Sequence, residues 1–214
     1  MKHDGIVFDF NGTLLDDVEL GIRAINTLLL RSGKKPITSA EEYRRVFGFP
    51  VKDYYTRVGL DPNRFETYAV EWVEEYNRGE PMTKLFDGVV ELLDWLKGNG
   101  YHLYLLSATE RAMLHRQLDR LCIENVFDEI IGQDDIHAHG KLESAVEWSK
   151  KVKCKNLLFI GDSRHDAEVA RAVGADCILL SCGHEEKGVL LKTGNRVYAD
   201  ACDLLYQFRS GEIE

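Results

Sequence analysis

The sequence has few cysteines, no basic run and no long apolar stretch. Its five cysteines (Cys122, Cys154, Cys177, Cys182, Cys202) are odd in number and form no CxxC pair, so neither a disulfide framework nor a zinc site is indicated. Lys and Arg number 27 against 36 Asp and Glu, a net charge of −9, which argues against nucleic-acid binding through phosphate neutralisation. The opening MKHDGIVFDF lacks the apolar core and cleavage site of a secretory signal, and no run of ~18 apolar residues suggests a membrane span. The expectation is a cytoplasmic protein that meets neither membrane nor nucleic acid. With 44% apolar and 29% charged residues over 214 positions, the chain is globular, one domain with an insertion or two small ones.

Short apolar runs ending in polar or glycine residues recur at 6–10, 102–107, 129–132, 156–161, 177–181 and, more weakly, 196–198. Their length and their β-branched or aromatic content are those of strands. Helical patterns lie between them at 89–96, 112–121, 142–151 and 166–173. The alternation predicts an α/β fold, a Rossmann-like parallel sheet with helices on both faces. From Asp16 to about Thr83 the alternation stops and helix follows helix, with turn signals at Ser32-Gly33, Phe49-Pro50 and Asp61-Pro62. The expected division is a core of residues 1–15 and 84–214 and a helical cap of 16–83, placed over the carboxyl ends of the strands, where open α/β sheets bind ligands.

Four places along the core could carry chemistry. Asp9 ends the first strand ahead of Phe10-Asn11-Gly12-Thr13; a carboxylate there suits a nucleophile or a metal ligand, although Asp, Asn and Gly are also ordinary turn residues. Asp162 and Asp166 follow the apolar run 157–161 and offer the hard oxygens Mg²⁺ prefers, whereas simple helix capping would account for one of them. Ser107 closes another strand and Lys141 precedes a helix. Singly they read as a cap and a solvated charge; together, a hydroxyl, an ammonium and helix-start N–H groups would hold a phosphoryl group.

In the order Asp9, Ser107, Lys141 and Asp162/Asp166, with intervals of 98, 34 and 21 residues, these segments resemble the four motifs of the haloacid dehalogenase-like hydrolase superfamily. The long first interval is similar to that of the phosphoglycolate phosphatase-like and β-phosphoglucomutase-like branch, whose helical cap follows motif one. Gly12-Thr13-Leu14 with Asp16, Phe47-Gly48-Phe49-Pro50 in the cap and Asp87-Gly88-Val89 support the likeness. It implies a phosphatase acting on a small phosphorylated metabolite, in which Asp9 forms an aspartyl-phosphate. Ser107, Lys141, Gly12, Thr13 and Ala108 would hold phosphate oxygens. It further implies Mg²⁺ held by Asp9, the backbone carbonyl of Asn11 and Asp162, with Asp166 in support. Arg45 and Lys52 are the cap candidates for substrate, among Arg44, Phe47, Tyr54 and Arg57. The sequence carries no signal for an oligomeric state.

The chain departs from that pattern at Asn11, where family phosphatases carry an aspartate that protonates the leaving oxygen and later activates water. An amide cannot do this, and a positioned acid/base typically contributes ~10²–10⁴-fold. Three readings stay open: a phosphatase for good leaving groups, or one borrowing His137, His139 or a cap residue; phosphonatase-like or other non-phosphatase chemistry using a cap lysine such as Lys52; or a catalytically weak phosphate-binding sensor. Leu142 also replaces a common proline, leaving Lys141 unaffected. The Asn11-Gly12 pair is, in addition, chemically prone to deamidation.

Overall fold

The chain runs β1 (Gly5–Phe8), β2 (Leu15–Asp16), α1 (Val18–Arg31), α2 (Ala40–Val46), α3 (Val51–Arg57), α4 (Phe65–Gly79), β3 (Lys84–Leu85), α5 (Val89–Gly98), β4 (His102–Glu110), α6 (Arg111–Arg120), β5 (Glu129–Gln133), α7 (Leu142–Ser149), β6 (Leu157–Gly161), α8 (Arg164–Val173), β7 (Asp176–Leu180), α9 (Lys187–Leu191), β8 (Arg196–Tyr198) and α10 (Ala201–Arg209). The computed structural model describes residues 2–133 and 141–213, so His137 and His139 lie outside the described residues.

Six strands form one sheet in the order β5-β4-β1-β6-β7-β8, with every pair parallel. The Rossmann-like α/β expectation is borne out. The period-2 alternation of each strand sorts its side chains between two layers. Ile6, Phe8, Leu103, Leu105, Leu158 and Ile160 face one apolar cluster with residues of α5, α6 and α10. Val7, Tyr104, Leu106, Leu157 and Phe159 face the other, with residues of α7 and α8. β1 is apolar throughout and fully buried, as a central parallel strand covered on both faces must be. Strand order reverses on either side of β1, so its carboxyl end opens at the switch point where such sheets bind ligands.

The helices α1 to α4 carry a third apolar cluster of their own, built from Val18, Ile22, Ile25, Leu28, Tyr43, Tyr54, Tyr55 and Tyr68 among others. α1 presents its buried residues at three- and four-residue spacing, the stripe of an amphipathic helix. It ends where Gly33, at φ 68°, turns the chain so that Lys34 N donates back to Leu29 O at 2.8 Å. The helical stretch expected from Asp16 begins two residues later. Leu15 and Asp16 instead pair antiparallel with Leu85 and Lys84, because the strand leading into the helices and the strand leaving them run side by side.

Candidate active site

The end of β1 brings together residues far apart in sequence. Asp9 N donates to Ile160 O at 2.9 Å, which keeps the chain aligned with β6 just past the strand and sets the Asp9 carboxylate beside the β6–α8 turn. Thr13 Oγ1 lies 3.2 Å from Asp9 Oδ2 and 3.4 Å from Asp162 Oδ1. The Lys141 ammonium pairs with both Asp9 and Asp166. All four of these charged residues are buried.

Burial pushes the Asp9 carboxyl up to about 6, against the opposing pull of Lys141. For Asp162, burial with Asp166 and Asp9 close by raises it well above the usual carboxylate range, although His184 pulls the other way. Burial also disfavours a charged Asp166, but Lys141 and Ser163 overcome it and hold that carboxyl low. In Lys141, burial is outweighed by Asp166 and Asp9, which raise its affinity for the proton. The turn thus gathers three carboxylates around one ammonium, a surplus of buried negative charge.

Ligand atoms of Asp9, Asp162 and Asp166 all lie within 4.8 Å of one another. Hard oxygens, buried and carrying a surplus of negative charge, fit a small divalent cation such as Mg²⁺. The backbone leaves room for this convergence at glycines. A Cβ on Gly12, which sits at φ 73°, would collide with the Asp162 carboxylate and the His184 ring, and one on Gly183 would collide with Asp162 and the Gly12 carbonyl. Helix α8 opens on a capping box in which Ser163 Oγ accepts from Asp166 N at 3.3 Å while Asp166 Oδ2 accepts from Ser163 N at 2.9 Å. Asp166 Oδ2 also accepts from Asp162 N at 3.1 Å and from Ser163 Oγ at 2.7 Å. Capping and site building are therefore one arrangement, since the oxygen that caps the helix leaves the other, Oδ1, for Lys141.

The pattern of haloacid dehalogenase-like hydrolases matches residues 6–180. The chain belongs to that family. It is 27% identical over 190 residues to phosphoglycolate phosphatase 1 of Pseudomonas aeruginosa, covering 84% of this chain and 70% of that protein. It is 25% identical to tyrosine-protein kinase PtkA of Mycobacterium bovis, over 93% of this chain and 69% of the other. A haloacid dehalogenase-like family hydrolase from Streptococcus pneumoniae superposes with a TM-score of 0.78 at 22% identity, over 97% of this chain and 99% of that one. These likenesses place the chain in the phosphoglycolate phosphatase-like branch.

In this haloacid dehalogenase-like hydrolase, the Asn11 side chain is held at three points. Its Nδ2 donates to Asp17 Oδ2 and to Tyr76 OH, both at 2.9 Å, and its Oδ1 accepts from Thr109 Oγ1 at 2.8 Å. Asp17 is 2% exposed. Its Oδ1 also accepts from Gly12 N at 2.9 Å and faces His184 Nε2 at 3.1 Å, while Tyr76 OH donates to its Oδ2 at 2.7 Å. His184 reaches Tyr43 OH through Nδ1 at 2.9 Å, and its backbone N donates to Asp162 Oδ2 at 2.5 Å. Burial disfavours the His184 imidazolium, but Asp17 reverses the balance and raises its pKa to about 9.

Sequence reasoning missed Asp17, Tyr76, Thr109, Gly183 and His184. The signal for the last two was the polar run Gly183-His184-Glu185 soon after an apolar strand.

Other expected residues fall in different places. Ser107 is buried at the end half of β4, its Oγ accepting from Thr109 N at 3.1 Å, with Ala108 between them. Among the described residues, the contacts of Arg45 and Lys52 do not include the site. Arg45 is exposed and lies 3.6 Å from Glu41, and Lys52 stands 6.0 Å over the Phe65 ring. Both sit on outward faces of short helices whose inward faces are taken by tyrosines. Arg44, one residue earlier, instead donates to the carbonyls of Cys182 and Gly183 at 2.7 Å each. Phe47 packs on the His184 ring at 5.0 Å between centroids. Tyr54 is buried in the helical cluster, and Arg57 donates to Val46 O at 2.5 Å.

Proposed function

We infer that the protein is a Mg²⁺-dependent phosphatase of small phosphorylated metabolites that works through an aspartyl-phosphate on Asp9. The observation that carries this reading is the meeting of Asp9, Lys141, Asp162 and Asp166 at the carboxyl end of β1. Phosphoryl transfer asks for positioning and for neutralisation of spread negative charge, and these residues supply both. Asp9 is the nucleophile. Lys141 offsets its repulsion of an anionic substrate, and Ser107, Ala108 and Thr13 hold phosphate oxygens, whereas the Gly12 N–H, expected to do the same, is taken by Asp17 Oδ1 and Leu15 O. Asp9, the Asn11 carbonyl and Asp162 would hold Mg²⁺, with Asp166 steadying Lys141 and the turn. Bound there, the metal supplies Lewis-acid stabilisation of charge on the phosphoryl oxygens.

On this reading the segment 16–83 is a cap over the core of residues 1–15 and 84–214, with the β2–β3 ribbon as its hinge, and it shields the site from water. Attachment of Tyr43 and Arg44 to the loop 182–184 and of Tyr76 to Asn11 supports that role. The phosphonatase alternative has no comparable support, because Lys52 stands over Phe65.

The test is hydrolysis of a panel of phosphate esters, acyl phosphates and phosphonates by purified protein. Mg²⁺-dependent release of phosphate from esters or acyl phosphates is expected, lost in Asp9→Asn and in excess chelator. Equal activity in Asp9→Asn would refute the assignment.

A further inference from the structure

Resting on the reading of Asp9 as nucleophile, we propose that the hydrogen-bonded pair of Asn11 and Asp17 supplies no base for the second half of the reaction, so that phosphorylated Asp9 accumulates and outlives the step that forms it.

The two halves make different demands. In the first, the donor's P–O bond breaks as an Asp9 oxygen bonds to phosphorus, and the departing oxygen keeps the electron pair. An acidic leaving group such as nitrophenolate or acetate needs no proton. In the second, water's oxygen bonds to phosphorus, the Asp9 carboxylate departs with the bonding pair, and a base must take the proton that water sheds.

Among the described residues, Asn11 cannot be that base. Both amide hydrogens are committed to Asp17 and Tyr76, and the amide oxygen to Thr109. Asp17 is the carboxylate bonded to Asn11, and its four acceptor positions are filled by Gly12 N, His184 Nε2, Asn11 Nδ2 and Tyr76 OH. Taking a proton from water would require Asp17 to break one of these bonds in a buried place, where an unmade bond is costly. Tyr76 OH is itself held as donor to Asp17 and acceptor from Asn11. The carboxylate thus stands one hydrogen bond away from position 11, with all four of its acceptor positions taken.

The same geometry constrains the repair. Asn11→Asp alone would set a second carboxylate at hydrogen-bond distance from Asp17, whereas Asn11→Asp combined with Asp17→Asn preserves one donor and one acceptor and moves the carboxylate to position 11.

The experiment mixes full-length protein with nitrophenyl phosphate and Mg²⁺ and follows nitrophenolate release together with intact mass. Wild type is expected to release about one nitrophenolate per chain in a burst, gain the mass of one phosphoryl group, and lose it to hydroxylamine. In the double variant the adduct should decay faster, by up to the ~10²–10⁴-fold of a positioned base. Mass spectrometry of the Asn11 peptide checks that wild type is not deamidated.

Asp9-dependent hydrolysis by wild type with neither burst nor adduct overturns the proposal and leaves the phosphatase reading standing. Equal adduct lifetimes in wild type and a folded double variant also overturn it. If the double variant does not fold, the wild-type burst decides alone. Absence of both adduct and hydrolysis in wild type and in a folded double variant overturns the phosphatase reading itself, and the proposal with it.

Discussion

Gly12 N donates to Asp17 Oδ1 at 2.9 Å and to Leu15 O at 3.0 Å, and this bears directly on the chemistry of the residue before it. Deamidation of Asn11 requires that nitrogen to attack the Asn11 side chain, whose amide is itself held at three points. Folded protein should therefore keep Asn11 intact on incubation while an isolated peptide of the same sequence deamidates, and peptide mass spectrometry of both would show it. The Asp17–His184 pair gives a second expectation at this scale. His184 is raised from 6.5 to about 9, so its contribution to stability is fully present below 6.5 and fades as pH rises through 9. Asp17, despite burial, is held below 3.8 by His184, Asn11 and Tyr76, so its contribution is present above 3.8 and fades as pH falls through the depressed value. In metal-free protein, His184→Ala leaves a buried carboxylate without its ionic partner and should cost ~3–5 kcal/mol at pH 7. Denaturant melts should show the gap to wild type narrowing at pH 10.

Among the elements, α8 couples folding most directly to the site. Ser163→Ala removes the side-chain acceptor of the capping box and should cost ~0.5–2 kcal/mol. Because Ser163 Oγ also donates to Asp166 Oδ2, the same change should weaken the hold on Lys141, and activity should fall by more than the loss of stability alone explains. The β7–α9 connection is more demanding of sequence, for the collision of a Gly183 Cβ with Asp162 and the Gly12 carbonyl involves a backbone atom that cannot swing away. Gly183→Ala is expected to fold with a displaced Asp162 and to lose Mg²⁺-dependent activity. Unchanged activity in that variant would show that the turn tolerates the side chain.

At the scale of the whole molecule, the sheet and the helical segment are joined by polar contacts that bury charge, and a bound cation should add to their stability. A ligand that binds only the folded state contributes about 2.7 kcal/mol at a hundred times its dissociation constant. Mg²⁺ should thus raise the Tm of wild type and leave that of Asp162→Asn nearly unchanged, as read by calorimetry. Arg44 bridges the helical segment to the carbonyls of Cys182 and Gly183. Arg44→Ala should make the β2–β3 ribbon cleave sooner in limited proteolysis, with little change in the cutting of the central strands. No helix of the described residues is long and apolar enough to cross a membrane.

Much of this was legible in the residues alone because it depends on short-range pattern. Apolar runs such as 157–161 must be buried on both faces, and alternation with helical periods leaves the parallel sheet as the economical solution. Asp9, Ser107 and Asp162 stand at or just past strand ends, and Lys141 at a helix start, that the pattern already located. What only the tertiary structure decided were relations between segments with no shared pattern. Asp17 reads in sequence as a helix-start acid, yet its partners come from Asn11, Gly12, Tyr76 and His184, drawn together by the return of the chain through β3 and by the β7–α9 turn. Arg44 and Arg45 are neighbours of the same charge, and the turn of α2 sends one to the core backbone and the other to solvent. Periodicity determines which side of an element is buried, whereas the partner that buries it, and so the chemistry of every polar group on that side, is set by how the elements pack.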